Sequence, residues 1–142
     1  MQDTPSPEIN SELALLAERL NETLRLSGAA SAEQAFGLGF SLGMGPILVV
    51  LLVLFLFKVI NIILAFILLV MALLAIVGIT MLAAQQARTN GIRRAYQTNV
   101  QAEIDQYLAQ NNLTRPQFNR LISQILPEAA PLQAFLIEKE EV

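Results

Sequence analysis

Between Glu33 and Arg88 the chain carries a single charged residue, Lys58. The uncharged stretches on either side, 34–57 and 59–87, are each long enough to cross a bilayer core of about 30 Å, which takes about 20 apolar helical residues. One helix through both would bury the Lys58 ammonium in hydrocarbon at a cost of about 2.5–3.5 kcal/mol or more. The sequence therefore predicts two spans, 34–57 and 61–84, with the turn at "KVIN", 58–61. The expected fold class is an all-α membrane protein: a two-span transmembrane helical hairpin over 31–87, an N-terminal amphipathic helix over 1–30 and a cytoplasmic helical tail over 88–142. The opening "MQDTPSPEIN" has neither the basic nor the apolar segment of a cleaved leader, so the spans themselves are expected to direct insertion.

The first span opens on "AFGLGFSLGMGP", which raises three readings. A dinucleotide-binding glycine loop must follow a strand and open a helix, and nothing upstream alternates like a strand. A flexible linker would not fill the intervening positions with Phe36, Leu38, Phe40, Leu42 and Met44. As a helix, at about 100° per residue, the segment places Gly37, Ser41 and Gly45 on one face and Ala35, Gly39 and Gly43 on another. Small residues let helices approach closely in lipid, where little hydrophobic gain drives them together. Two such strips suit a helix with neighbours on both sides. One neighbour is expected to be the second span, through Ala65, Ala72 and Ala83; the other is a second copy or another subunit. Pro46 is expected to kink this helix or start it afresh. A rival topology makes the glycine stretch interfacial and 46–57 re-entrant, leaving one full span.

Upstream, Ser6, Pro7 and Glu8 favour a helix start. Ile9, Leu13, Leu16, Leu20 and Leu24 then form an apolar stripe at helical spacing. "SGAA" is expected to end that helix, and Ser31 with Gln34 has the spacing of a capping box that opens the next. Downstream, Ile92, Tyr96, Val100, Ile104 and Leu108 recur every fourth residue, and Asn111 and Asn112 close that helix. Thr114, Pro116 and Gln117 open another, with Phe118, Leu121, Ile122, Ile125 and Leu126 on its apolar side before Pro127. These stripes need cover, either from one another or from a partner. Leu13, Leu16, Leu20, Tyr96, Ile104, Phe118, Leu121 and Ile122 are the expected docking residues. Arg88, Arg93 and Arg94 follow the second span and, by the positive-inside rule, set it against Lys58. Both termini are then expected on the cytoplasmic or stromal side of a bacterial inner membrane or a thylakoid-type membrane.

Chemistry has little to work with. The chain has no Cys and no His, so the ordinary nucleophile–base pairs and the commonest metal ligands are missing; no catalytic, cofactor or metal site is expected. A net charge of −3 gives no general attraction to a phosphate backbone, and no nucleic-acid partner is expected. Two spans with a glycine-rich first helix resemble the rotor hairpin of proton-driven ATP synthases, a resemblance that implies a carboxylate in the second helix; 61–84 contains neither Asp nor Glu, so that mechanism is not expected. The order of N-terminal amphipathic helix, two spans and C-terminal helices is similar in arrangement, without a shared motif, to the thylakoid curvature proteins of chloroplasts and cyanobacteria. That likeness implies a self-assembling membrane-shaping protein. The principal expectation is a non-catalytic small integral-membrane subunit that scaffolds, assembles or regulates a larger membrane complex. Its partners are the lipid bilayer and other membrane subunits or copies of itself, with no small-molecule substrate. The alternatives are a membrane-shaping or pore-forming assembly and a tethered helical module that recruits a cytoplasmic partner.

Overall fold

The computed structural model describes residues 7–140, with side chains over 11–136. The expected cap Ser6 and the side chain of Ile9 lie outside the described residues. Every regular element among them is helical: α1 Pro7–Leu56, α2 Ile62–Ala95, a π-helical turn Tyr96–Val100, α3 Gln101–Asn111, α4 Arg115–Ile125 and α5 Pro131–Glu140. The chain divides into two compact units. Unit 1 combines Met1–Gly28 with Asn90–Val142, and unit 2 is Ala29–Thr89.

Two expected helix boundaries are absent. "SGAA" does not break the chain, and Ser31 is not a helix start, because α1 runs unbroken from Pro7 to Leu56. An interior glycine costs a helix about 1 kcal/mol relative to alanine. Here Gly28 is buried, and the alanines beside it are the best helix formers, so close packing and propensity outweigh a local capping pattern. Pro46 also lies inside α1 without restarting it. Asn90 and Gly91 are likewise helical, within α2.

Unit 1 is a small helical cluster around one core. The first turns of α1 contribute Leu13, Ala17, Leu20 and Leu24; Ala95, Tyr96, Val100, Ile104 and Leu108 come from α2, the π turn and α3. Phe118 and Ile122 of α4 and Leu132 and Leu136 of α5 complete it, with Leu16 and Leu121 packed against its edge. The Tyr96 ring lies 4.3 Å from Phe135 and the Tyr107 ring 6.3 Å from Phe118, centroid to centroid.

The π turn answers a problem posed by the sequence. A stripe that repeats every fourth residue drifts by about 40° per step on an α-helix, hence by about 160° from Ile92 to Leu108. That drift would carry the last residues off the core. Within the π turn the bond reaches one residue further, from the Gln101 N–H to the Tyr96 carbonyl, and the extra residue turns the chain back by about 100°. Tyr96, Val100, Ile104 and Leu108 consequently all remain buried.

Polar ties fix the helices around this core. Arg19 of α1 pairs with Glu103 of α3, and Arg115 of α4 reaches Asp105 of α3 at 2.6 Å. The Arg115 guanidinium is held further into its charged form, first by that hydrogen bond. α3 ends at Asn112, whose left-handed backbone has φ 52°. α4 starts at the Thr114–Gln117 capping box, where the Thr114 N–H donates to Gln117 Oε1 at 3.0 Å. Before Pro127 the backbone of Leu126 becomes extended, as a residue preceding proline favours, and α4 ends. α5 begins after Ala130, which has no side chain to cap it. Instead Asn21 of α1 accepts from the Leu132 N–H at 3.3 Å, a cap supplied from a distant part of the sequence. Buried Gln133, with its amide nitrogen turned toward the preceding loop, donates to the Leu126 and Pro127 carbonyls at 2.8 Å each.

Two outcomes follow for unit 1. Deleting Thr98 should convert the π turn to α-helix and keep Val100, Ile104 and Leu108 on the core face, because they would then follow Tyr96 by three, seven and eleven residues. Inserting one alanine after Thr98 should instead rotate them by about 100° and cost several kcal/mol, about that of truncating one or two core side chains; denaturant titration of detergent-solubilised protein reads both. The Tyr107 hydroxyl oxygen is buried and has no hydrogen-bond partner among the described residues. Burial, with Glu12 adding repulsion, raises its pKa above the ordinary value. Its neutral form is thus favoured on folding, so its contribution is complete below about pH 10 and is lost as pH rises through the raised folded value. Tyr107→Phe should leave stability at pH 7 unchanged or raise it by up to about 1 kcal/mol, and should flatten the alkaline fall relative to wild type.

Candidate helix-packing site

Unit 2 is a hairpin of two helical segments, 29–56 of α1 and 62–89 of α2. The two full helices each contain a stretch long and apolar enough to cross a membrane, with windows of mean hydropathy 2.4 and 3.3. The core helix of a water-soluble protein can match that length and composition, but it is mostly covered. Here only 0% and 6% of the two windows is buried. Leu42, Leu48, Phe55, Ile62, Phe66 and Leu74 are among the side chains that face outward.

The faces that meet are narrow. A β-carbon built on Gly39 would stand 2.8 Å from Thr80 Cγ2, a separation that real β-carbons essentially never show; one on Gly43 would stand 3.4 Å from Ile76. The pairings 39 with 80 and 43 with 76 run in opposite senses, as an antiparallel hairpin requires. Thr80 presents its methyl to the glycine because its hydroxyl is satisfied within its own helix. It donates to the Ile76 carbonyl at 2.8 Å and to the Val77 carbonyl at 3.1 Å. Ile76 and Thr80 are buried, while Ala65, Ala72 and Ala84 are half-buried along the same side of α2. Ala83, expected on that side, is exposed; its neighbour Ala84 is the covered alanine. Sequence reasoning passed over Thr80. Its place in the row Ala72, Ile76, Thr80 and Ala84, spaced by four residues, is the signal that marks it as a contact.

The other strip is bare. Nothing lies within 4 Å of a β-carbon built on Gly37 or Gly45, and Ser41 between them is exposed. The two glycine strips of α1 therefore differ: one is filled by α2, and the other has no neighbour among the described residues.

The turn at 57–61 is built without glycine or proline. Lys58 adopts the left-handed region, with φ 55°. The Lys58 N–H donates to the Phe55 carbonyl and the Val59 N–H to the Leu54 carbonyl, both at 3.0 Å, which is the bond pair of a Schellman helix end. Asn61 then caps α2, its Oδ1 accepting from the Leu64 N–H at 2.8 Å. The helix break at Pro46 that would separate an interfacial 31–45 from a re-entrant 46–57 is absent, since 31–56 is one continuous helical stretch.

The remaining expected residues fall into two groups. Arg88, Arg93 and Arg94 are exposed on α2. The eight expected docking residues lie in unit 1: Leu13, Leu20, Tyr96, Ile104, Phe118 and Ile122 are buried in its core, and Leu16 and Leu121 are packed against it. Their stripes are covered by the chain's own helices.

Gly39→Ala should destabilise the hairpin by about 1–3 kcal/mol, the usual penalty of overpacking, whereas Gly37→Ala and Gly45→Ala should be neutral or slightly stabilising. Thr80→Ser removes the opposing methyl and keeps the hydroxyl, so it should rescue Gly39→Ala; thermal unfolding in detergent measures the set. Comparison with known proteins gives no further handle: no family model, no curated protein and no solved structure matches this chain.

Proposed function

We propose that this protein is a small, non-catalytic integral-membrane subunit whose hairpin spans the bilayer twice and holds a neighbouring transmembrane helix within a larger assembly. The observation that carries this reading is the bare strip Gly37–Ser41–Gly45. In hydrocarbon a neighbour gains affinity from close backbone approach rather than from leaving water, and a strip without β-branched or large side chains permits that approach. The first glycine strip is already used by α2, so the second is the face left for a partner.

The spanning reading rests on magnitude. Each large apolar side chain left in water forgoes about 1.5–3 kcal/mol of burial, and outward-facing residues of this kind run along both segments of unit 2. Lipid removes that penalty. Arg88, Arg93 and Arg94 favour a cytoplasmic or stromal tail, with Lys58 on the far side. Unit 1 supports a holding role in a different way. Its apolar stripes are satisfied internally, so it is suited to lie against a complex through its polar surface while the hairpin supplies the intramembrane contact.

Gly37→Leu with Gly45→Leu is the informative double variant, since neither position touches α2. The hairpin should unfold at the wild-type temperature, while the native-gel complex in mild-detergent extracts should be lost. An unchanged complex would remove the bare strip from the account. Purified wild-type protein that tubulates or permeabilises liposomes would instead support the membrane-shaping or pore-forming alternative.

A further inference from the structure

We propose that Lys58 is a lipid-recognition residue: its ammonium binds the phosphate of an anionic phospholipid in the leaflet that the turn reaches. The inference rests on the reading of the hairpin as a membrane span. The turn itself makes no use of the lysine side chain. Its bonds are those of the Lys58 and Val59 N–H groups and the Asn61 cap, all of which a glycine or asparagine at this position would leave in place. A left-handed backbone strains a residue such as lysine, and glycine at this position would avoid that strain. The side chain's role must therefore be sought outside the turn's own folding.

The surroundings specify its chemistry. Phe57, Val59 and Ile62 are exposed by 77%, 66% and 70%, forming an apolar collar around the one cation at the tip. No Asp or Glu occurs from 34 to 87, so the sequence around the tip offers the ammonium no carboxylate. With the collar among acyl chains, the four-carbon stem of lysine can carry its charge outward to the level of the headgroups. What it meets there is phosphate. A lipid with net negative charge is preferred over phosphatidylcholine, whose own trimethylammonium competes for the same phosphate. Free phosphate offers the same chemistry without the acyl chains that the collar would contact.

The test uses the full chain. Wild type, Lys58→Gln and Lys58→Arg are extracted from vesicles of phosphatidylcholine with added phosphatidylglycerol, and retained lipid is counted by native mass spectrometry. Glutamine keeps the left-handed strain and removes the charge, so fold and charge are separated. Retention of phosphatidylglycerol should fall about fivefold in Lys58→Gln, the effect of one basic residue at a membrane surface, and return in Lys58→Arg. Phosphatidylcholine retention should be equal in all three. Equal phosphatidylglycerol retention in wild type and Lys58→Gln would overturn the proposal. So would stabilisation of wild type over Lys58→Gln by inorganic phosphate in neutral detergent to the same extent as by the lipid, which would assign a free-anion site. Alkaline carbonate washing of the vesicles separates this from the parent reading: a chain that washes off ends both, while a retained chain with equal lipid binding ends only the role of Lys58.

Discussion

Gly39 and Thr80 approach so closely that no side chain fits between them, and the geometry of unit 2 is organised around that approach. A threonine placed against a neighbouring helix must have its hydroxyl satisfied. Bonding to the Ile76 and Val77 carbonyls settles the hydroxyl inside α2 and leaves the methyl as the contacting group. One helix thus offers a small protrusion and the other a missing side chain. One turn along α1, Gly43 repeats the fit more loosely against Ile76. In a hydrocarbon setting such steric matching, rather than apolar burial, decides which faces pair. It also explains why only one of the two glycine strips is filled: α2 can present Ile76 and Thr80 to one side of α1 at a time.

The same separation of tasks holds along the whole chain. Leucines in the first turns of α1 are covered by the tail helices, so their stripe is consumed by unit 1. The apolar surface of unit 2 is covered by nothing in the chain, and its faces differ in relief rather than in polarity. A covered core and an uncovered apolar surface are therefore served by one continuous helix, α1, whose sequence changes from spaced leucines to glycines and then to unbroken hydrocarbon.

Much of this was legible before the structure. Lys58 and Asn61 marked the turn because charge and amide polarity interrupt the apolar run, and Thr114 with Gln117 marked the start of α4 because capping is a local interaction. The misread boundary at Ser31 shows the limit of that logic. Ser31 and Gln34 match a capping box in spacing, yet the same spacing is compatible with two ordinary positions on a continuous helix. Only the burial of Gly28 and the length of α1 decide between them, and both are tertiary facts. The choice of Ala84 over Ala83, and of the Gly39 strip over the Gly37 strip, has the same origin. Periodicity lists the faces of a helix but does not say which face a neighbour takes.

The π turn is a case in which the sequence held the information and an idealised helix concealed it. Five apolar residues spaced by four cannot share a face on a regular α-helix, so either the stripe is accidental or the helix departs from regularity. The departure occurs at Tyr96–Val100, where Thr98 also donates its hydroxyl to the Arg94 carbonyl at 2.9 Å, supplying a partner to a backbone oxygen beside the altered turn. A π turn costs some regular hydrogen bonding, and it persists here because the residues it re-aims, Val100 and Ile104, are among the most buried in unit 1. The repeat of four thus specifies the irregularity through the core it has to reach, rather than through any preference of the residues within the turn.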